Sequence, residues 1–433
     1  TKAKAAWKGS GDASSEGNFK EILEKYEMNE FVGYNSVTHE TEIVTLLNDK
    51  FEETLVLSKG QTGWIMLKET PFYAESGGQA GDIGAIEADD SIAIVKDTRK
   101  FFGLNLIQVE VASSDFTQNQ QVSAVVVNRY EVAKHHSATH LLQTALRIVL
   151  GDTVAQAGSL NDVNRLRFDF TYPKAMTNEQ LKEVEDLVNS MIARGMRGSV
   201  EELPIEQAKE KGAIAMFGEK YGDMVRVVNF GDISIEFCGG THVKNTSDIG
   251  SFYIVKESGV SAGVRRIEAV CGLSAIKYTQ DIINRMQDVQ NEVKNVDAIT
   301  GIVKLKEQIK TLKTELAQAQ SASTSPITEE TIGDTKVVVD VVENGDLKKI
   351  VDDYKNANEK VAIMLIQPKG EKVMIVAGSK NTNVKAGDWI KNIAPIVGGG
   401  GGGRPDFAQA GGKDVTKVND AKVAALAYAK ENI

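Results

Sequence analysis

From residue 31 to about residue 127 the apolar residues come in short runs separated by turn residues. The runs fall at 42–47, 54–57, 64–67, 92–95, 106–111 and 122–127, and this spacing predicts the strands of a small β-barrel. Before them, a Gly/Ser-rich patch (Gly9 to Gly17) leads into a short amphipathic helix predicted over 19–26. After residue 128 the period changes. Residues 130–150 carry helical spacing and stop at Gly151, and 178–194 form a second predicted helix. Strands are predicted at 166–170, 225–228, 234–237, 251–256 and 264–270, so this stretch reads as α+β.

At residue 273 the texture changes again. Ile282, Met286, Val289, Val293 and Val296 step by four and three, as do Leu305, Ile309, Leu312 and Leu316. That is an a/d seam interrupted around 297–301, which predicts two helices of about three heptads each, folded back as a hairpin. A low-complexity stretch at 318–325, before Pro326, reads as a linker. Beyond it, strands at 336–342, 361–366 and 372–378 and helices at 347–356 and 421–430 predict a C-terminal α/β domain. The expected architecture is therefore α+β and multidomain: a leading segment (1–30), a β-barrel (31–127), an α+β core (128–272), a helical hairpin (273–322) and a last domain (323–433).

Composition narrows the function classes. With 433 residues, 42% hydrophobic and 25% charged, the chain has the balance of a soluble globular protein. Its net charge of −10 argues against a protein that grips nucleic acid through one broad positive field, though not against a local site. Residues 327–433 are neutral, with 15 basic and 15 acidic side chains, so the whole deficit falls earlier in the chain. No run approaches the roughly 18 apolar residues of a membrane helix. Two cysteines make no disulfide framework, which points to a reducing, cytoplasmic setting. The first residue is Thr1, not Met, as expected for a piece of a longer protein.

Only five histidines occur, and four fall in two short windows. His136 and His140 stand at i and i+4 on a predicted helix, so both imidazoles project from one face. Cys238-Gly-Gly-Thr-His242 offers a thiolate and a third imidazole on a loop made close-fitting by two glycines. Taken singly, these are also the marks of hydrogen-bonded helix histidines and of a small buried cysteine. Taken together they supply three nitrogens and a sulfur, a donor set suited to Zn²⁺. The Gly-dense 75–84 loop has two readings, a ligand-closing loop or a string of turns at a barrel rim. Arg265 and Arg266 can meet phosphates or simply pair on a strand, and Gly398–Gly403 can offer amides to phosphate or form a flexible turn.

The segments His136-Ser-Ala-Thr-His140-Leu-Leu and Cys238-Gly-Gly-Thr-His242-Val resemble the editing domain of the alanyl-tRNA synthetase family. So do Pro71-Phe-Tyr-Ala-Glu-Ser-Gly-Gly-Gln79, Gln156-Ala-Gly-Ser159, Leu166-Arg-Phe-Asp-Phe170 and Gly263-Val-Arg-Arg-Ile-Glu-Ala269. The run from Gly398 to Gly412 resembles that family's C-terminal domain, and Ala5-Ala-Trp-Lys-Gly-Ser-Gly11 resembles the tail of its aminoacylation half. Gln143 and His135 depart from the pattern, where histidine and asparagine are frequent.

The resemblance implies hydrolysis of Ser or Gly wrongly esterified to tRNA(Ala), because a synthetic pocket separates these from alanine only modestly. It implies His136, His140, Cys238 and His242 as zinc ligands, and Thr139 and Gln156 in the editing pocket. Gly77, Gly78, Gln79, Arg265, Arg266, Gly400 and Arg404 would face the RNA. It further implies tRNA(Ala) as partner and a dimer contact or tRNA grip in the last domain. Two alternatives stay open: a free-standing AlaX-type deacylase, which carries the same motifs, and a tRNA-binding or dimerising module with a structural zinc, since four protein ligands would close a tetrahedral site.

Overall fold

The structure is a computed structural model that describes residues 21–22, 25–215, 222–322 and 327–433. The 5–11 motif and most of the predicted 19–26 helix lie outside the described residues. The chain divides into two compact units, one running to Arg285 and one from Met286.

In the first unit, six antiparallel strands close into a barrel: Thr38–Leu47, Thr62–Leu67, Leu104–Val111, Ser91–Phe101, Gly84–Ala88 and Gln121–Val126, the last pairing back to the first. Closure leaves no free edge within this ring. Ser91–Phe101 shows the cause in miniature, since its alternate residues through Val95 are buried and exposed in turn. Inward-facing Ile43, Leu46, Ile65, Ile86, Ile107 and Val109 fill the interior. The predicted run at 54–57 is broken into Glu53–Thr54 and Val56–Leu57.

The α+β core follows directly. Helix Arg129–Leu150 and helix Asn178–Ala193 pack with a four-stranded antiparallel sheet ordered Gln156–Asn161, Leu166–Thr171, Val264–Cys271, Phe252–Ser261. The first helix ends where Gly151 adopts φ 110° and returns its N–H to Arg147 O. The second starts in a capping box between Thr177 and Gln180. A three-stranded sheet, Ser199–Pro204, Met224–Asn229 and Ile235–Phe237, delivers the chain to Cys238.

Arg129, buried, clamps barrel to core. Its guanidinium donates to Gly33 O and Pro71 O (2.7 Å to the latter) and pairs with buried Asp82.

Helices Gly272–Glu292 and Ala298–Ala322 match the predicted break in the seam. The predicted hairpin packing is not borne out. Ile309, Leu312 and Leu316 stand 53, 62 and 59% exposed, so the a/d pattern does not bury itself here.

In the second unit, a mixed sheet is ordered Glu329–Ile332, Thr335–Val341, Val361–Lys369, Lys372–Lys380, Phe407–Gly412, Gly400–Gly403, with only the second and third strands parallel. Helix Leu347–Ala357 covers one face, through Leu347 and Val351 against Val338, Ile363 and Leu365. Helices Ala386–Ile393 and Val418–Asn432 cover the other, where Trp389 is fully buried and donates to Ala425 O at 3.0 Å. The glycine run is not a flexible turn: Gly400–Gly403 is an edge strand.

Candidate metal centre and adjoining cleft

Helix Arg129–Leu150 presents His136 and His140 one turn apart on its buried side, as the i, i+4 spacing predicts. The loop after strand Ile235–Phe237 brings Cys238 and His242 to them. One donor atom from each of the four residues lies within 4.8 Å of every other. Cys238 Sγ is 3.5 Å from His136 Nε2 and 3.2 Å from His242 Nε2. Gly240 makes the approach possible, because a Cβ there would sit 2.1 Å from His136 Cε1.

The outward nitrogens are also engaged. His136 Nδ1 is 2.8 Å from Gln79 Oε1, His242 Nδ1 is 3.1 Å from Ser137 Oγ, and His140 Nδ1 is 3.0 Å from Glu236 Oε2. The His140 contact is an ion pair whose geometry is off-line for a hydrogen bond. The partners at Nδ1 of His136 and His242 favour the tautomer whose Nε2 lone pair faces the sulfur, which is how metal-ligating imidazoles are held. Burial pushes the Cys238 thiol up, but the imidazoles of His136 and His242 outweigh it and hold the group well below an ordinary thiol. Burial drives His242 down to about 3 against the pull of Cys238. Burial works the same way on His140, yet Glu236 and Cys238 raise it to about 10. The donor chemistry and the outer contacts both fit a bound divalent cation of borderline softness.

The 75–84 loop reaches this centre. Gln79, fully buried, accepts from Thr241 N–H at 2.8 Å and donates to Thr241 Oγ1 at 2.9 Å, so it ties the histidine helix to the cysteine loop. Gly78 lies against Ser159, and Gly78 O accepts from Asn161 N–H at 2.7 Å. Thr139 Oγ1 lies 2.6 Å from Asn161 Oδ1 and 3.0 Å from His135 O. Gln156 begins strand Gln156–Asn161 and donates to Ser159 Oγ at 3.1 Å. Thus Gly78, Gln79, Thr139 and Gln156 converge on one corner, with Gly77 open to solvent space beside them.

Sequence profiles match three parts of the chain: residues 1–130 to "tRNA synthetases class II (A)", 225–268 to "Threonyl and Alanyl tRNA synthetase second additional domain", and 334–431 to "DHHA1 domain". Alanine–tRNA ligase of Aliarcobacter butzleri is 73% identical over 431 residues, covering 100% of this chain and 51% of that one. The chain belongs to the alanine–tRNA ligase family. The enzyme of Sulfurimonas denitrificans is 52% identical over 434 residues (100% of this chain, 51% of the relative), and that of Campylobacter jejuni 48% over 422 (97% and 49%). The chain spans about half the length of the curated relatives it matches. A solved structure, the C-Ala domain of Aquifex aeolicus alanyl-tRNA synthetase, aligns at 28% identity over 24% of this chain and 98% of that one, with a TM-score of 0.23.

Beside the metal centre of this ligase-family chain opens a cleft of about 1120 Å³, whose wall includes Tyr34, Lys134, Arg226, Thr241, His242 and Lys244. His242 therefore belongs both to the donor cluster and to the cleft. Arg226 fixes the ligand loop by donating to Cys238 O (2.7 Å) and Gly240 O (2.8 Å), while Tyr34 donates to Gly239 O (2.7 Å) and stacks under the guanidinium at 4.2 Å. Thr139 and Gln156 are not on this wall.

Arg265 and Arg266 are each held bidentately by a carboxylate, Glu257 and Asp169 respectively. In the second unit Arg404 is 78% exposed and pairs with Asp406, and Gly400 has open space above it. Sequence reasoning missed Glu236, Ser137, Arg226 and Tyr34. Only the position of Glu236, two residues before Cys238 on a predicted strand, offered a hint. No described helix is long and apolar enough to cross a membrane.

Proposed function

We propose that residues 128–272, with the 75–84 loop, hydrolyse the ester of Ser- or Gly-mischarged tRNA(Ala), and that residues 323–433 hold the tRNA or a second copy of the chain. The supporting observation is the donor cluster at the rim of an open cleft, with His242 shared between them. His136, His140, Cys238 and His242 would hold Zn²⁺. When bound, the ion would supply a positive centre that orients an ester carbonyl or an attacking water. The chain's own groups do the rest. Gln79 and Ser137 keep two imidazoles turned inward, Arg226 and Tyr34 freeze the loop, and Arg226 with Lys244 offers positive charge to the phosphate end of the substrate. Thr139, fixed between Asn161 and His135 and off the wall of that cleft, is the candidate that the family resemblance offers for testing a seryl hydroxyl.

A second reading rests on the donor count: four protein donors complete a tetrahedral set, which favours a structural zinc in a tRNA-binding module. Incubating the zinc-loaded chain with Ser-tRNA(Ala) and Ala-tRNA(Ala) separates the two. We expect faster release of serine than of alanine; release of serine no faster than in buffer would refute editing.

A further inference from the structure

Around the donor cluster stands one charged group that the reading above does not use. Glu236 is 5% exposed and sits on strand Ile235–Phe237, two residues before Cys238. Its Oε1 accepts from Ser234 Oγ at 2.7 Å and its Oε2 lies 3.0 Å from His140 Nδ1. Among the described residues no Lys or Arg pairs with it; its ion-pair partner is His140 alone. An isolated carboxylate is expensive to bury, and a serine hydroxyl does not offset that. Among the described residues His140 is the group placed to answer it, either as an imidazolium or by carrying a cation on its far nitrogen.

The three outer contacts differ in kind. Gln79 and Ser137 are neutral and meet their imidazoles in hydrogen-bond geometry, whereas Glu236 brings a carboxylate to a ring it meets off-line. A divalent ion bound by three neutral imidazoles and one thiolate keeps a net charge of +1 inside the fold. The Glu236 carboxylate brings that to zero through the His140 ring.

Resting on the zinc reading above, we propose that Glu236 is a positioning residue of the metal centre: its buried carboxylate polarises His140 as an Nε2 ligand and would balance the charge of the bound divalent ion. Outer-shell carboxylates of this kind change metal affinity by about 10- to 100-fold. Because the contact is one of charge more than of direction, the isosteric Glu236→Gln should weaken binding nearly as much as Glu236→Ala, and Glu236→Asp should recover part of it.

The test is a competition titration of Zn²⁺ against a chromophoric chelator, with the whole chain and its three Glu236 variants, alongside visible spectra of the Co²⁺-loaded forms. Urea denaturation of the metal-free proteins reports separately whether each variant folds. Ser234→Ala, which only frees Oε1, serves as a milder variant should Glu236→Gln fail to fold, and is expected to weaken binding by a few-fold. The expected result is a loss of about tenfold or more for Gln and Ala, a smaller loss for Asp, and shifted Co²⁺ bands in the first two. Zinc affinity within twofold of the parent in every folded variant, with unchanged Co²⁺ spectra, would overturn the proposal and leave the zinc reading standing. If the parent chain itself takes up no Zn²⁺, the zinc reading falls and this proposal falls with it.

Discussion

Gly77 and Gly78 are neighbours with φ of 58° and 78°, and they make a matched experiment. Alanine at either position must occupy the left-handed region, at about 1 kcal/mol. At Gly77 a Cβ meets nothing within 4 Å, so that strain is the whole effect. At Gly78 the Cβ would lie 2.1 Å from Ser159 Oγ and 2.9 Å from the Ser159 carbonyl oxygen. The hydroxyl can turn away but the backbone cannot, so the loop must retreat. Retreat strains the Asn161 N–H to Gly78 O bond and pulls Gln79 from His136 and Thr241.

Each of those four bonds is worth about 1 kcal/mol net. Losing half of them brings the total for Gly78→Ala to about 3 kcal/mol, against about 1 for Gly77→Ala. Zinc affinity should fall about tenfold for Gly78→Ala alone, through the freed His136 Nδ1. In a Ser159→Ala background the carbonyl contact remains, so most of the loss should persist. Urea midpoints of the metal-free proteins and chelator competition measure both quantities. Equal losses at the two glycines, or unchanged zinc affinity in Gly78→Ala, would refute the coupling of loop to metal centre.

Thr139→Val should destabilise the chain by about 1–2 kcal/mol, because it strands the buried Asn161 amide, and should narrow the Ser-over-Gly preference in deacylation; equal loss on both substrates would mean Thr139 only shapes the helix. Acid should weaken the second unit. Burial pushes Asp340 up, but the Lys422 ammonium at 2.6 Å and the N–H groups of Thr328 and Val341 more than offset it, so its folded pKa is depressed. That contribution is present above the ordinary carboxylate pKa of about 4 and is lost as pH falls through the folded value. Lys422→Met should therefore flatten the fall in urea midpoint below about pH 4, and an unaltered slope would disprove the pairing. Ending the chain at residue 326 should weaken tRNA binding with zinc content unchanged, since all four donors precede residue 243; unchanged tRNA binding with loss of a dimer in sedimentation would reassign the last domain to self-association.

The barrel was legible because its strands bury one face and wet the other, so side-chain alternation survives in the sequence. Strand Gln156–Asn161 and strand Gly400–Gly403 were not, because alanine, serine and glycine leave no such trace. Strand Ser199–Pro204 escaped for another reason: nearly all of it is exposed, and no period marks it. Helix Ala386–Ile393 is short and holds Gly387 pressed against Gly403 O, a tertiary demand that local propensity argues against. The seam of Ala298–Ala322 was legible as a pattern, but its packing as a pair is not confirmed, since periodicity names a face and not what covers it. At the metal centre the four donors were visible as two windows. Ser137 and Glu236 were not, and Gln79 was singled out for the RNA and not for His136, because which oxygen meets which imidazole is decided across 57 residues for Gln79 and 105 for Ser137.

The split of the donor set between a helix and a distant loop also has a history in time. Cys238 lies 102 residues after His136. A ribosome adding about 5–20 residues per second delivers the two halves roughly 5–20 seconds apart. During that interval the helix offers two imidazoles and no thiolate, a pair that any passing soft cation can sample and leave. All four donors are together only once the loop arrives, and strands Phe252–Ser261 and Val264–Cys271 of the core sheet are still to be made, so a cation held there would join helix to loop before the sheet is complete.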